Sequence, residues 1–317
     1  MESSNISRRN LIKSSLATGV GLALGLENTA AQAPKTAKNN FSYCLNTSTI
    51  MKQNIGLMAE LDVAAKAGYS GIEIWTKTLE TYAGKGGNLK DVRQKAKDLG
   101  LTIEDAIGFA SWIVDDPNQR AKALEQTRRE MGMLAEIGCK RIAAPPFGAT
   151  NKAGINLQNA AARFRQMLDL GDEMGVLPQL EMWGFSANLH LFGEALFVAA
   201  ESGHPKAVIL SDVYHLFKGG SEFNALKMLN GQCMQMFHVN DYPANVSREK
   251  INDSYRVFPG DGVAPLTPIF QMLNEKNVPI VLSLELFNED YWKMPALEAA
   301  KVGFKKMKAS VEKALGA

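Results

Sequence analysis

Short apolar runs and longer amphipathic stretches alternate along the chain from residue 41 onward. Each apolar run has the length of a strand, and Gly or Pro stands at many of the junctions. Runs of this kind, bounded by turn residues, are typical of buried strands in a parallel sheet. The pattern predicts eight strands, at residues 41–45, 70–75, 101–107, 140–144, 177–182, 207–212, 233–239 and 279–285.

The amphipathic stretches between these runs predict helices, several of which are followed by a glycine suited to the left-handed position after a helix. Eight strand–helix units predict an α/β protein with a single (β/α)8 TIM barrel. The alternative is an open doubly wound sheet, which usually carries a glycine-rich phosphate loop after its first strand, and residues 44–48 form no such loop. The predicted helices cover residues 57–67, 89–99, 118–137, 157–174, 191–202, 222–229, 265–275 and about 293–314, and the glycines are Gly68, Gly100, Gly138 and Gly175.

The first 33 residues have the order of an export signal. Arg8 and Arg9 precede two apolar residues and a lysine, an uncharged stretch follows at residues 14–26, and small residues end at Ala33. This order resembles the bacterial twin-arginine signal, and the apolar part is too short to span a membrane as a helix. We therefore predict a signal peptide at 1–33, a polar linker at 34–40 and the barrel at 41–317. The alternatives are a plain secretory signal or an uncleaved anchor.

Composition narrows the possible partners. The chain has 35 Lys and Arg against 33 Asp and Glu, a formal charge of +2, which does not favour a nucleic-acid partner. The three cysteines, Cys44, Cys139 and Cys233, are widely separated and lack zinc-ribbon spacing. Each lies in an apolar run, so we expect all three to be buried thiols, and export does not require an odd, scattered set to pair.

Four ionisable residues fall at the ends of the last four predicted strands: Glu181, Asp212, His238 and Glu285. In a barrel the carboxyl ends of the strands meet at one mouth, where the active sites of such folds lie. Three carboxylates brought together there repel each other unless a cation lies between them. Oxygen ligands with one nitrogen favour Mn2+, Mg2+ or Co2+, with Zn2+ also possible. Each residue alone could instead cap a helix, pair with a lysine or sit in the core.

These residues, with several short runs, resemble the xylose-isomerase-like TIM-barrel superfamily of sugar-phosphate isomerases and epimerases, from residue 41 to the end. The runs are CLNTST (44–49), AGYSGIEIW (67–75), HVND (238–241) and RVFPGDG (256–262), together with Asp212 and His215. The resemblance implies that Glu181, Asp212, His238 and Glu285 bind one divalent metal, with Mn2+ favoured. It further implies that Glu181 and Glu285 act as catalytic acid and base, in an order that the sequence leaves open.

The resemblance also implies that His215 and Arg256 approach the hydroxyls or carbonyl of a sugar. A salt bridge from Arg256 to Asp241 or Asp253 is the alternative. Further candidates for substrate binding are Trp183 and Trp112, because aromatic faces stack on the apolar faces of sugars, and Glu73, which could face the barrel. Packing and a role in stability are the competing explanations for these three.

The expected function is a metal-dependent sugar isomerase or epimerase that acts through an enediolate outside the cytoplasm, in the periplasm or beyond. The expected partners are a small carbohydrate and the twin-arginine export machinery, and the protein could form homo-oligomers. A lyase or dehydratase that eliminates from a 3-keto-glycoside or keto-sugar is the alternative, because the same intermediate can lose a leaving group. An exported barrel that binds sugar without turnover is the third reading. The endonuclease branch is disfavoured, since its metal site needs more histidines than the four present.

Overall fold

The computed structural model describes residues 38–316, and the predicted signal peptide lies outside the described residues. Eight parallel strands, β1 to β8, close into a barrel in chain order, with β1 paired to both β2 and β8. The single (β/α)8 barrel is confirmed. The strands are Phe41–Asn46, Gly71–Trp75, Thr102–Ile107, Arg141–Ala144, Leu177–Glu181, Ile209–Asp212, Met236–Val239 and Ile280–Leu284.

Nine helices, α1 to α9, are found in the described part of the chain. The glycines at 68, 138 and 175 adopt positive φ directly after α1, α4 and α5, as the sequence predicts. Gly100 also has positive φ, one residue beyond the cap of α3. The helices are Leu57–Ala67, Thr76–Gly84, Leu89–Asp98, Pro117–Ile137, Leu157–Met174, Phe192–Glu201, Val213–Gly219, Leu266–Asn274 and Ala296–Leu315.

The connection after β6 differs from the prediction. An α-helix was expected at 222–229, but that segment is a 3-10 helix at Phe223–Met228 in which only Leu226 is buried. The α-helix after β6 is α7 at Val213–Gly219, which begins at once because the carboxylate of Asp212 accepts the backbone N–H of His215 at 2.8 Å. A strand-end aspartate therefore caps a helix there. Helix α2 was also not predicted, since only two of its nine residues are buried.

The core has two parts. A large cluster lies between the strands and the surrounding helices, and a small one fills the barrel interior. The interior cluster draws one residue from each of six strands, which makes the barrel a packed core rather than a pore. Its members are Cys44, Ile107, Ala143, Leu210, Met236 and Val281.

The cysteine prediction holds for two of the three thiols. Cys44 and Cys139 are buried, and burial raises the pKa of both thiols. Cys233 is partly exposed, so the expectation of three buried thiols is wrong. It ends a short 3-10 helix at Gly231–Cys233, outside β7, and therefore lacks the burial of a strand residue. Among the described residues, no helix combines the length and the apolar character needed to cross a membrane.

Candidate active site

The carboxyl ends of β5 to β8 bring the ionisable residues to one end of the barrel. Glu181 is the last residue of β5, Asp212 the last of β6, and Glu285 follows β8 directly. His238 lies opposite Asp212 in the β6–β7 register. All four side chains are buried, so their charges must be compensated within the protein.

Asp212, His238 and Glu285 form a tight cluster. One ligand atom from each lies within 4.8 Å of the others. The Nδ1 atom of His238 is 3.2 Å from Glu285 Oε2 and 3.8 Å from Asp212 Oδ2. Glu181 is not part of this group, although it lines the same cavity as Glu285.

The other ring nitrogen of His238 is held by Glu73, whose Oε1 lies 2.9 Å from Nε2. Glu73 also accepts from the amide of Asn46 at 2.8 Å and from the hydroxyl of Ser283 at 2.5 Å. With Nε2 donating to this carboxylate, Nδ1 is the nitrogen that faces Glu285 and Asp212, and it has no hydrogen-bond partner. A carboxylate behind the distal nitrogen of a histidine is the usual support of a metal ligand.

Arg256 contacts the same carboxylates from the loop after β7. Its Nη1 atom lies 2.8 Å from Glu285 Oε2 and 3.1 Å from Asp212 Oδ2, and its Nη2 atom lies 2.5 Å from Asp253. The guanidinium stands over the ring of Tyr214 at 4.3 Å. Arg256 is 1% exposed, so this ion-pair network is screened little by solvent. Of the two pairings considered for Arg256, the structure contains the one with Asp253.

Asp241 has a different role, which is to build the loop that carries Arg256. Its carboxylate accepts backbone N–H groups from Gly260 and Gly262 at 3.0 Å and from Ala264 at 2.8 Å. Its backbone also pairs with Val257 in an isolated bridge. The PGDG turn therefore wraps around one buried carboxylate, which fixes the long loop.

The two glutamates of the site have opposite electrostatics. Burial raises the pKa of Glu181 to about 8, although the nearby His238 opposes this shift. Burial would also raise the pKa of Glu285, but His238 and Arg256 outweigh it and hold that pKa below its usual range. Glu181 Oε2 has no hydrogen-bond partner. One carboxyl thus favours the protonated form and the other stays ionised, a pattern typical of an acid and a base.

The two histidines near Arg256 also differ. Burial, reinforced by Arg256, lowers the pKa of His215 well below its usual range, so His215 is neutral at pH 7. Burial alone would lower the pKa of His238, but Glu285 and Glu73 raise it well above that range. The Nε2 atom of His215 lies 3.1 Å from Arg256 Nη2. His215 and Arg256 therefore form a fixed polar pair on one wall.

The cavity above these groups measures about 150 Å³ and has a largely aromatic wall. Trp75 and Phe109 lie 5.0 Å apart between ring centroids, and Trp183 stacks on Phe185 at 5.3 Å. Phe287 closes the side next to Arg256, with its ring 5.0 Å from the guanidinium. A polar floor under aromatic walls suits a compact ligand with hydroxyl groups and an apolar face.

The structure brings most of the predicted residues together but not all of them. Glu181, Glu285, His215, Arg256 and Trp183 line the cavity. Trp112 does not: it is 2% exposed and donates its indole N–H to the backbone of Pro145 at 2.7 Å. Its position therefore supports packing rather than substrate binding. Glu73 is fully buried below the cavity, where it supports His238 instead of facing a ligand.

Several residues of the site were not singled out from the sequence. Asn240 donates to Asp212 Oδ2 at 2.9 Å, and Asn46 donates to Glu285 Oε1 at 3.2 Å. Phe185 and Phe287 complete the cavity wall. The two asparagines occur in the runs HVND and CLNTST, each at or beside the end of a strand. An amide side chain in that position is the feature of the sequence that could have identified them.

The donor set fits a divalent cation. Two carboxylates and one imidazole nitrogen lie within reach of one point, the imidazole nitrogen is without a partner, and Glu181 offers a further unpartnered oxygen. Oxygen ligands with one histidine suit Mn2+, Mg2+ and Co2+, and Zn2+ accepts the same ligand types. The structure therefore contains a candidate metal centre at the mouth of the barrel.

The closed parallel barrel places this protein among the (β/α)8 proteins. The ionisable residues at its strand ends form a candidate metal site. The family described as xylose isomerase-like TIM barrel matches residues 61–310. The chain belongs to this family.

The relatives that resemble this chain are named for more than one reaction. Inosose isomerase from Bacillus velezensis is 24% identical over 276 residues, which cover 85% of this chain and 97% of that protein. A 3-dehydroshikimate dehydratase from Pseudomonas putida is 21% identical over 79% of this chain, but this match covers only 39% of that longer protein.

Solved structures agree on the fold. The IolI protein with a bound zinc atom matches with a TM-score of 0.80 at 23% identity, over 86% of this chain and 98% of that one. An L-ribulose 3-epimerase matches with a TM-score of 0.70 at 17% identity, over 86% of this chain and 95% of that one.

Proposed function

We propose that this protein is a divalent-metal-dependent sugar isomerase or epimerase. The observation that carries the proposal is geometric: two glutamates, Glu181 and Glu285, line one small cavity beside the cluster of candidate metal-donor atoms. Isomerisation and epimerisation beside a carbonyl need one group to remove a proton from carbon and another to return it. A pure binding site does not need two such groups.

The metal ligands in this proposal are Asp212, His238 and Glu285, with Glu181 as the fourth. A cation bound there supplies Lewis-acid polarisation of the substrate carbonyl. Mn2+ is the favoured ion, with Mg2+, Co2+ and Zn2+ as alternatives. The ligand set rests on the cluster of donor atoms and on the histidine nitrogen that has no partner.

The protein side chains have separate tasks. Glu181 lines the cavity but lies outside the tight cluster of Asp212, His238 and Glu285, so it is the better placed of the two glutamates to move a proton between substrate carbons. Glu285 is held by Arg256 and Asn46 and lies 3.2 Å from His238 Nδ1, which favours a role in orienting its neighbours and accepting a proton late. Arg256 and His215 are positioned to bind a substrate hydroxyl or carbonyl oxygen. The aromatic wall excludes water from the reacting carbons.

A lyase or dehydratase is the second candidate function. Elimination starts with the same loss of a proton beside a carbonyl and then requires an acid for the leaving group. A Glu181 that favours its protonated form at neutral pH can act as that acid. The dehydratase among the relatives supports keeping this alternative. We further propose that the twin-arginine segment exports the protein, so that the substrate is an extracytoplasmic carbohydrate.

The test follows solvent deuterium into a panel of ketoses, aldoses and 3-keto-glycosides by NMR, with the purified protein stripped of metal and then reloaded. Exchange into an intact carbon skeleton supports an isomerase or epimerase and identifies the carbon. Release of water or an aglycone, together with formation of an unsaturated sugar, identifies the protein as a lyase instead. Glu289→Gln, which changes an exposed neighbour of the site, is the matched control for Glu285→Gln. Metal binding without exchange or breakdown in the whole panel would favour the binding-protein alternative.

A further inference from the structure

A second cavity lies beside the candidate active site, on the other side of Trp75. It measures about 470 Å³ and is bounded by the 3-10 helix Thr47–Gln53, the start of α1 and the length of α2. Its volume is within the range of about 300–1,000 Å³ that ligand sites usually have. The active-site cavity is only about 150 Å³. The larger space at the barrel mouth is therefore outside the reaction site.

A buried carboxyl group without a partner lies in the wall of this second cavity. Glu60 is 6% exposed, and its Oε2 atom makes no hydrogen bond. A buried polar group without a hydrogen-bond partner lowers the stability of the fold. A ligand that pairs with this group would explain why it is there. Burial raises the pKa of Glu60 to about 7. Glu60 makes no contact with the proposed metal ligands and has no part in the mechanism above.

The rest of the lining suits a sugar ring. Trp75 and Tyr82 supply aromatic surface, Thr78 and Asn54 supply polar groups, and Lys85 adds an ammonium group at the edge. Pyranose rings present an apolar face to aromatic side chains and hydroxyl groups to carboxylates and amides. An apolar ligand would leave Glu60 unpaired.

Trp75 connects the two cavities, because it lines both. Its indole N–H donates to Asn46 Oδ1 at 3.2 Å, and the amide of Asn46 donates to Glu285. The indole ring that forms one wall of the second cavity is thus linked to Glu285 of the candidate active site by two hydrogen bonds through Asn46. One ligand that spans Trp75 would occupy both spaces.

We infer that the second cavity binds a further pyranose ring of the substrate, so that the protein binds a disaccharide-sized glycoside more tightly than a free monosaccharide. The inference rests on the proposed function for the identity of the reacting ring. Glu60 accepts hydrogen bonds from ring hydroxyls, and Trp75 and Tyr82 contact its apolar faces.

Calorimetry with the full chain, loaded with Mn2+, tests this inference without turnover. The probes are glucose and four disaccharides, cellobiose, lactose, maltose and gentiobiose. We expect at least one disaccharide to bind at least tenfold more tightly than glucose, and Glu60→Gln to weaken that disaccharide about tenfold, as loss of a charged hydrogen-bond acceptor predicts. Glucose binding should be unchanged in the variant.

Glu130→Gln is the matched control. Glu130 is also buried and also has an Oε2 atom without a partner, but it lines neither cavity. Equal affinity for glucose and every disaccharide, no binding of any disaccharide, or equal losses in the two variants would each overturn the inference. Deuterium exchange on monosaccharide ketoses decides the proposed function separately, because it does not require the second cavity.

Discussion

The two halves of the barrel mouth, formed by β1–β4 and by β5–β8, differ in the side chains that they contribute. Strands β5 to β8 have ionisable residues at or next to their carboxyl ends, Glu181, Asp212, His238 and Glu285, whereas β2 ends in Trp75, β3 leads into Phe109 and β4 ends in alanine. The β1–β4 half also contributes Glu73 and Asn46, but these two side chains lie below the cavity, where they hydrogen-bond to His238 and Glu285, respectively. The charged residues of the cavity are therefore concentrated on the β5–β8 side, which also contributes Trp183, Phe185 and Phe287, whereas the β2–β3 side contributes apolar and aromatic side chains alone.

This difference separates two kinds of contribution to a reaction. Buried ion pairs depend on all of their partners, so the loss of one leaves an uncompensated charge. Aromatic contacts are individually weak and depend on area. We therefore expect changes in the β5–β8 half to act on kcat, and changes in the aromatic half to act on KM.

The largest effect is expected for Glu285→Gln. This change removes a carboxylate that contacts both Arg256 and His238, and with it one candidate metal ligand and one candidate proton-transfer group. We expect kcat/KM to fall by about 10³-fold or more, measured by deuterium exchange with reloaded metal. A fall carried by KM alone would contradict the division between the two halves.

Arg256→Lys should have the next largest effect. Lysine keeps the charge but cannot reach Asp212, Glu285 and Asp253 together, because its three donors share a single atom. We expect kcat to fall by about 10²-fold in steady-state kinetics, with metal content unchanged. Arg248→Lys is the control on the same loop, where Arg248 stacks on Phe217 away from the site. Similar losses in both variants would indicate a general loop defect.

Glu60→Gln should change how stability depends on pH. The pKa of Glu60 is raised from 4.5 to about 7 in the folded protein, so the folded state binds this proton more tightly than the unfolded state. The ionised carboxylate therefore destabilises the fold progressively as pH rises from about 4.5 through 7. We expect the variant to match the wild type at pH 4 and to exceed it by about 3 kcal/mol at pH 8 in denaturant unfolding. A difference independent of pH would contradict this origin.

The smallest effect is expected for Phe109→Ala in the aromatic half. The ring contacts Trp75 and lies 6.3 Å from Trp183, so its loss opens the wall without touching the charged cluster. We expect KM to rise about tenfold with kcat within about twofold, in the same kinetic assay. Phe147→Ala, at the exposed rim next to Phe109, should have less effect and serves as the control. A large fall in kcat would show that the wall takes part in the chemistry.

Much of the fold could be read from the alternating pattern, because each buried strand is a continuous apolar run. Predicted strand ends lie within a few residues of those observed, and the errors fall where burial is weak: at α2, at the 3-10 helix Phe223–Met228 and at Cys233. The clustering of Asp212, His238 and Glu285 was predictable, since adjacent parallel strands end at the same mouth.

Other features of the site depend on contacts far apart in the chain. Trp112 and Trp183 both follow strand ends, yet one binds the backbone of Pro145 in the core and the other lines the cavity. Nothing in the neighbouring residues distinguishes them. The second cavity is likewise invisible in the sequence, because Glu60 occupies an ordinary position of an amphipathic helix.

The sequence by itself determined the barrel and the set of ionisable residues at its mouth, because hydrophobic periodicity and strand order are local properties that the chain carries along its length. Only the tertiary structure decided which carboxyl keeps a proton, which aromatic rings meet a ligand, and which buried group is left without a partner. Those outcomes depend on distances between side chains from different strands, such as Arg256 to Glu285 and Glu73 to His238. Electrostatic and packing energies are set by these distances and by burial, and neither exists until the barrel has closed.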